Sequence, residues 1–376
     1  MKLDVLYEVD VPRPWEGPHP YGQRREEQRA YREAVEQIRL ADRMGFNTIW
    51  AVEHHFREGR SHMPASEVFL GHLAGLTERI RLGFGVTLTP FGFTPPQRIA
   101  EKVATVDILS GGRVEWGTGR STPMEQTAFG VDIAKSRADW REAIEIVCGM
   151  WREEYFEYES ERFSFPRRMV TPKPFQDPHP PAWMAATSNG SAEVAGANGL
   201  GLLSFSIMQP LEVMAAQVAA YRAAAAAAQP LTDVTTNKVA AYTLVHCPGS
   251  KKVDRKVWDS VAWWYRNLAM FTLEWELPHL SEEEQDKTFP LLKPMFEGNV
   301  PVETFDAADM IVIGDTETCI TKMKRYADLG VDELICYVQW GYLDHQDILR
   351  TIEVLGKEVI PELNAYTPKA QPPTAG

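Results

Sequence analysis

Along this chain two rhythms of apolar and polar positions take turns. Short apolar runs suited to buried strands fall at Leu3–Val9, Asn47–Val52, Ile80–Thr89, Arg113–Gly117, Ala182–Ala186, Gly201–Ser204, Lys238–Cys247 and Glu333–Val338. Between them lie stretches with the 3.6-residue period of an amphipathic helix: 26–44, 65–77, 95–109, 137–151, 191–198, 211–228, 251–271, 316–329 and 345–359. Gly45 is placed to stop the first of these, and Pro95 and Pro96 to start the third. Eight strands, each followed by a helix, predict an α/β fold of one kind, a single (β/α)8 TIM barrel spanning residues 1–366. Two segments exceed the minimal barrel. Residues 153–181 carry aromatics, prolines and alternating charge and read as an excursion with a hairpin, and residues 274–308 are acidic and broken by prolines, with a possible capping sequence at Ser281. The last ten residues, 367–376, read as a flexible tail.

The main rival is an open, doubly wound sheet. Against it, no GxGxxG follows the first strand and no GxxxxGK[ST] occurs anywhere. A formal net charge of −13 opposes nucleic acid and anionic membranes as partners. The four cysteines, Cys148, Cys247, Cys319 and Cys336, are scattered and fit a reducing compartment. The amino terminus reads as a first strand and not as a signal peptide, and no apolar stretch reaches the roughly 18 residues of a membrane span. A cytoplasmic protein is expected.

Candidate chemistry is concentrated after the second strand, in Glu53-His54-His55-Phe56. Carboxyl ends of barrel strands are where catalytic side chains gather. The blander reading, a packed histidine with Glu53 as its partner, is equally open on these residues alone. Metal binding is not expected: neighbours on a strand point to opposite faces, and there is no HExxH. Arg120 stands just beyond the fourth strand, and Thr187-Ser188-Asn189-Gly190-Ser191 opens a helix after the fifth, where hydroxyls and backbone N–H groups can cap the helix or hold an anion. Tryptophans 258, 263, 264 and 275 suit helix packing, whereas Trp340, just after the last strand, is a candidate pocket wall.

EHHF, then RIRLGFGVTLTP, then LSGGRVEWGTGRS, then TSNGS, in that order, resemble the luciferase-like monooxygenase family, most closely over residues 46–130. The resemblance implies a reduced-FMN-dependent monooxygenase in which a peroxyflavin oxygenates a hydrophobic small molecule, with the flavin supplied by a separate reductase. It implies that His54 does acid/base work, with His55 and Glu53 in support. It places Gly85 and Val86 at a cis peptide under the flavin ring, and Arg120, Thr187, Ser188 and Ser191 around the flavin phosphate. Thr187 replaces a family glutamate, and Gly119 stands where a reactive cysteine occurs in light-emitting members. Two alternatives remain within reach: a deazaflavin-dependent hydride-transfer enzyme, and a non-catalytic flavin-binding accessory subunit, which the retained histidines and Arg120 oppose. A homodimer is expected through the small, apolar segment 65–77.

Overall fold

The computed structural model of the chain describes residues 1–14, 21–278, 281–283 and 291–369. Its elements run β1 (Lys2–Tyr7), α1 (Tyr21–Met44), β2 (Thr48–Ala51), α2 (Ser66–Ala74), β3 (Arg81–Leu88), α3 (Pro96–Ser110), β4 (Val114–Gly119), α4 (Pro123–Ala128) and α5 (Ser136–Arg152). A hairpin follows, β5 (Phe156–Glu159) with β6 (Ser164–Arg168), inside the excursion expected at 153–181. The alternation then resumes with β7 (Ala182–Ala186), α6 (Asn189–Ala197), β8 (Gly201–Ser204), α7 (Leu211–Ala225), β9 (Val239–His246) and α8 (Arg255–Phe271). After two short helices, α9 (Leu292–Glu297) and α10 (Val302–Ala307), come β10 (Ile311–Ile313), α11 (Thr316–Asp328), β11 (Glu333–Tyr337), α12 (His345–Val354) and α13 (Ile360–Ala365).

Strands β1, β2, β3, β4, β7, β8, β9 and β11 pair in parallel, each with the next, and β11 returns to β1. This is a closed (β/α)8 barrel, with helices covering its outside. β10 is an extra strand laid on the carboxyl end of β9. The expected strands lie in place, with ends shifted by a residue or two. The instructive shift is at the end of β1. The apolar run continues to Val9, but the strand stops at Tyr7, because Val9 takes a left-handed φ of 58° that a β-branched residue avoids.

Two crossed tryptophans plug the barrel near its amino-terminal end. Trp50 and Trp183 meet edge to face at 5.5 Å between centroids, and both are buried. Glycine on the neighbouring strand makes room for each: a Cβ at Gly83 would enter the Trp50 ring, and one at Gly201 the Trp183 ring. The indole N–H groups donate to Asp4 Oδ2 at 2.9 Å and to Glu115 Oε2 at 2.7 Å. Truncating either tryptophan to alanine is expected to cost about 3–5 kcal/mol.

The segment 274–308 holds α9 and α10, and a π-helical turn, Thr272–Glu276, extends α8 into it. Glu284 of the expected capping sequence at Ser281 lies outside the described residues, as does the tail from residue 370. The last described residue, Lys369, is tied down by its backbone N–H to Asp328 Oδ1 at 2.8 Å.

Candidate functional site

Beyond β2 the chain leaves the sheet, so the strand alternation expected to separate His54 from His55 does not govern them. One carboxylate gathers both. Glu125, on α4, faces His54 Nδ1 at 3.1 Å and accepts from the His55 backbone N–H at 2.6 Å. It also lies 3.6 Å from Arg57 Nε, and accepts from the Ser121 and Thr122 hydroxyls. Burial alone would push the Glu125 carboxyl up, but the charge and hydrogen bond of His54, the charge of Arg57 and the Ser121 hydroxyl hold it far below the usual carboxylate range. An ionised Glu125 fixes the tautomer and tilt of His54: Nδ1 is occupied, and Nε2 is the ring nitrogen left to take or give a proton. The His54 side chain is 27% exposed, so it can meet a ligand.

The two other residues of that motif turn elsewhere. His55 lies edge-on to Phe129, at 4.7 Å between centroids, with its Nε2 3.8 Å from Glu53 Oε1. Glu53 is buried and shares Lys102 Nζ at 3.7 Å. Both side chains thus have partners other than His54.

On β3 the peptide between Gly85 and Val86 is cis, at the position the resemblance implied. The Val86 side chain reaches across to β4. A Cβ on Gly119 would run into Val86 Cγ2, so valine here and glycine there occupy one space. Ala185 of β7 would lie 3.8 Å from that Cβ, and it is exposed although it belongs to a barrel strand. Of these three small residues at the mouth, Gly119 is buried, Val86 half-buried and Ala185 exposed.

Arg120 follows β4. It donates to Ser136 Oγ at 3.1 Å, and its carbonyl accepts from Gln126 Nε2 at 2.9 Å. Burial, then the charge of Arg137, pushes its guanidinium below the ordinary value. Among the described residues neither arginine forms an ion pair with a carboxylate. Arg120 is half-buried and Arg137 exposed, so an anion placed between them would offset two like charges. On the next strand, β7, the chain turns through exposed Thr187 into a capping box. Ser188 Oγ accepts from Ser191 N at 3.3 Å, and Ser191 Oγ accepts from Ser188 N at 3.0 Å. The helix-cap reading of Ser188 and Ser191 therefore stands, and their exposed backbone still presents the positive end of α6.

Because β2, β3, β4 and β7 are consecutive neighbours, His54, Val86, Arg120 and Ser188 occupy one arc of the rim. Trp340 lies apart from it, after β11, with its indole buried and its N–H unpartnered among the described residues. Backbone strain clusters at the same rim. Val9, Phe56 and Ser121, which follow β1, β2 and β4, have φ of 58°, 61° and 65°. Such conformations cost about 1–3 kcal/mol each and persist where the surroundings impose them.

Glu125, Arg137, Glu8, Asp10 and Arg60 escape the sequence reading. For Glu125 a signal existed: Thr122-Pro-Met-Glu125 has the S/T-x-x-E form of a helix start, one turn after a strand end. Arg137, at the start of α5, had none beyond its charge.

A family model of luciferase-like monooxygenases matches residues 13–333. The oxygenase component of a flavin-dependent trigonelline monooxygenase from Acinetobacter baylyi is 24% identical over 88% of this chain and 89% of its own. An F420-dependent glucose-6-phosphate dehydrogenase from Segniliparus rotundus is 27% identical over 89% of this chain and 94% of its own. The crystal structure of a monooxygenase from Streptomyces bottropensis superimposes with a TM-score of 0.72, at 25% identity, covering 96% of this chain and all of that one. With the barrel closed, the cis peptide in place and the match extending over most of its length, the chain belongs to the luciferase-like monooxygenase family.

Proposed function

We propose that this protein is the oxygenase of a two-component system, taking reduced FMN from a separate reductase and oxygenating a hydrophobic small organic molecule. The observation that carries the reading is the arc itself: the cations Arg120 and Arg137 and the start of α6 stand on the rim with the carboxylate-anchored His54, and the small residues Val86, Gly119 and Ala185 lie between them. A flavin fits these residues. Its phosphate would lie between Arg120, Arg137 and the Ser188–Ser191 turn, and its ring over the Val86 shelf. When bound, the flavin supplies the reaction with oxygen. The chain anchors it, positions the substrate, excludes water, and holds or releases a proton at His54 Nε2. The similarity to the trigonelline monooxygenase component favours this reading.

A second reading has its own support. The F420-dependent relative matches as much of the chain, and the same phosphate anchor and the same His54 would serve a deazaflavin and a hydride transfer without oxygen. Titrating the chain with FMN and with a deazaflavin, followed by oxygen uptake with reduced FMN over a panel of carbonyl substrates, separates the two. Tighter binding of FMN with substrate-dependent oxygen uptake supports the first. Preference for the deazaflavin, with no oxygen uptake, replaces it by the second.

We propose further that the protein is a homodimer through α2 and α3. Val68 and Leu76, on and just after α2, and Ile108 and Leu109 on α3 are exposed, with Leu109 at 60% and Val68 at 69%. Apolar side chains grouped this way on two packed helices suit a self-complementary face. Light scattering at micromolar concentration should give the dimer mass, and Val68→Asp should lower it to that of a monomer.

A further inference from the structure

Across the mouth from the phosphate arc lies a buried charge cluster that the reading above does not use. The left-handed turn at Val9 throws Glu8 and Asp10, its two neighbours, onto one guanidinium, that of Arg60. All three side chains are almost wholly buried. Arg60 Nη1 and Nη2 both reach Glu8, Nη1 lies 3.6 Å from Asp10 Oδ1, and the guanidinium sits 4.3 Å over the Trp264 ring. The hydroxyls of two barrel tyrosines complete the cluster: Tyr242 donates to Glu8 Oε1 at 3.0 Å, and the Tyr337 hydroxyl meets Asp10 Oδ1 at 2.5 Å. The Gly341 backbone N–H donates to Asp10 Oδ2 at 3.0 Å.

Two carboxyls and one guanidinium leave one negative charge too many for a buried site. The asymmetry of the contacts decides which carboxyl gives way. Glu8 has both guanidinium nitrogens and the nearby charges of His54 and Arg57, and these hold it below the usual carboxylate range against burial. Asp10 has only the longer guanidinium contact. Burial, with the charge of Glu8 behind it, pushes Asp10 up to about 7, while Arg60, Tyr337 and Gly341 pull the other way. The cluster is also stitched to the catalytic loop. Ser61 Oγ donates to the Glu8 carbonyl at 3.1 Å, the His62 N–H reaches the same carbonyl at 3.2 Å, and the His54 N–H donates to Met63 O at 3.1 Å.

We propose that Asp10 carries the one proton of the Glu8–Arg60–Asp10 cluster, and that this cluster is a positioning device for His54, changing the charge behind the histidine when the proton leaves. The inference rests on the acid/base role given to His54 above, but its test needs no flavin. With the proton present, the pair and Arg60 are neutral together, and Glu125 is the ionised carboxylate that His54 contacts. With the proton gone, a second negative charge stands on the β1 side of the loop. Glu8, Asp10, Arg60, Arg57, His54, Tyr242 and Tyr337 are the charged and titratable groups that set this balance.

The full-length chain, labelled with 13C at aspartate carboxyls and histidine rings, is titrated by NMR without flavin. Asp10, identified by the resonance lost in Asp10→Asn, is expected to keep its proton to near neutral pH, at about 7. Tyr337→Phe, which removes one hydrogen-bond donor from the ionised form, should move that titration upward by about one pH unit. The His54 ring resonance, identified by His54→Gln, should carry the Asp10 inflection and lose it in Asp10→Asn. An Asp10 that titrates with the ordinary aspartates overturns the proton assigned to it. A His54 resonance with no inflection from Asp10 overturns the link to the histidine. A chain that binds no flavin at all would remove the function proposed above and leave these titrations readable.

Discussion

The two ends of this barrel each hold buried acids, and their surroundings drive Asp4 on the floor and Glu125 at the mouth in opposite directions. At the amino-terminal floor Asp4, Glu115 and Glu333 are enclosed with Trp50, Trp183, Lys238 and Arg81. Asp4 receives the Trp50 indole, Glu115 receives Trp183 and Arg81, and Glu333 receives Lys238. Burial, with Glu333 nearby, drives Asp4 well above the carboxylate range, and burial raises Glu115. These acids are fastenings for a tryptophan plug. At the mouth, Glu125 is driven the other way by cations, the backbone is left-handed at three non-glycine residues, and among the described residues neither Arg120 nor Arg137 pairs with a carboxylate. A buried acid therefore says little about function. What separates the ends is charge left unneutralised and strain left in place.

The largest effect that would break this contrast is at His54. His54→Ala should fold and still bind flavin, because the phosphate anchor lies on other strands, yet its product yield should fall by roughly 10²–10⁴-fold. Hydrogen peroxide per oxygen consumed should rise in step, and a melting curve beside the peroxide assay checks that the fold is intact. A variant that unfolds would instead return His54 to the status of a packing residue.

Next in size is the phosphate anchor. Arg120→Ala should weaken FMN binding by about 1.5–3 kcal/mol, the worth of a hydrogen bond to a charged group. Arg137→Ala, at an exposed position, should weaken it less. Flavin fluorescence titration measures both.

Glu125→Gln sharpens the contrast through pH. The folded-state pKa of Glu125 is depressed, so its contribution to stability is present above the ordinary carboxylate range and is lost as pH falls through and below it. The variant should be less stable than the parent by about 1.5–3 kcal/mol at pH 7, and the difference should shrink below about pH 4. Asp4→Asn on the floor should show the reverse sign and the smallest effect. A raised carboxyl pKa costs stability as pH rises past the unfolded value, so the variant should equal or exceed the parent at pH 8, with FMN affinity unchanged.

The barrel was legible because its eight strands are apolar runs of four or more residues, long enough to stand out from the helices between them. The shortest elements of each kind escaped: β10 has three residues and α4 has six, too few for either period to register. The last helix was expected unbroken over 345–359, but its closing turn, Leu355–Val359, widens to a π-helix before α13, which no spacing of apolar residues announces. At the site, His54 and Arg120 were legible from their place after strands together with the family resemblance. Glu8, Asp10 and Arg60 were not, because a valine between two acids reads as a strand, and only the left-handed turn at Val9 brings both acids to one arginine. Trp340, expected as a pocket wall from its position after the last strand, has its indole buried and its N–H unpartnered among the described residues.

The most direct test of the account is FMN titration of three full-length proteins side by side: the parent, Arg120→Ala at the mouth and Asp4→Asn on the floor. The account predicts that the parent and Asp4→Asn bind FMN alike, and that Arg120→Ala binds at least about tenfold more weakly, as the loss of one charge-assisted contact requires. Equal binding by all three, or a loss confined to Asp4→Asn, would contradict it.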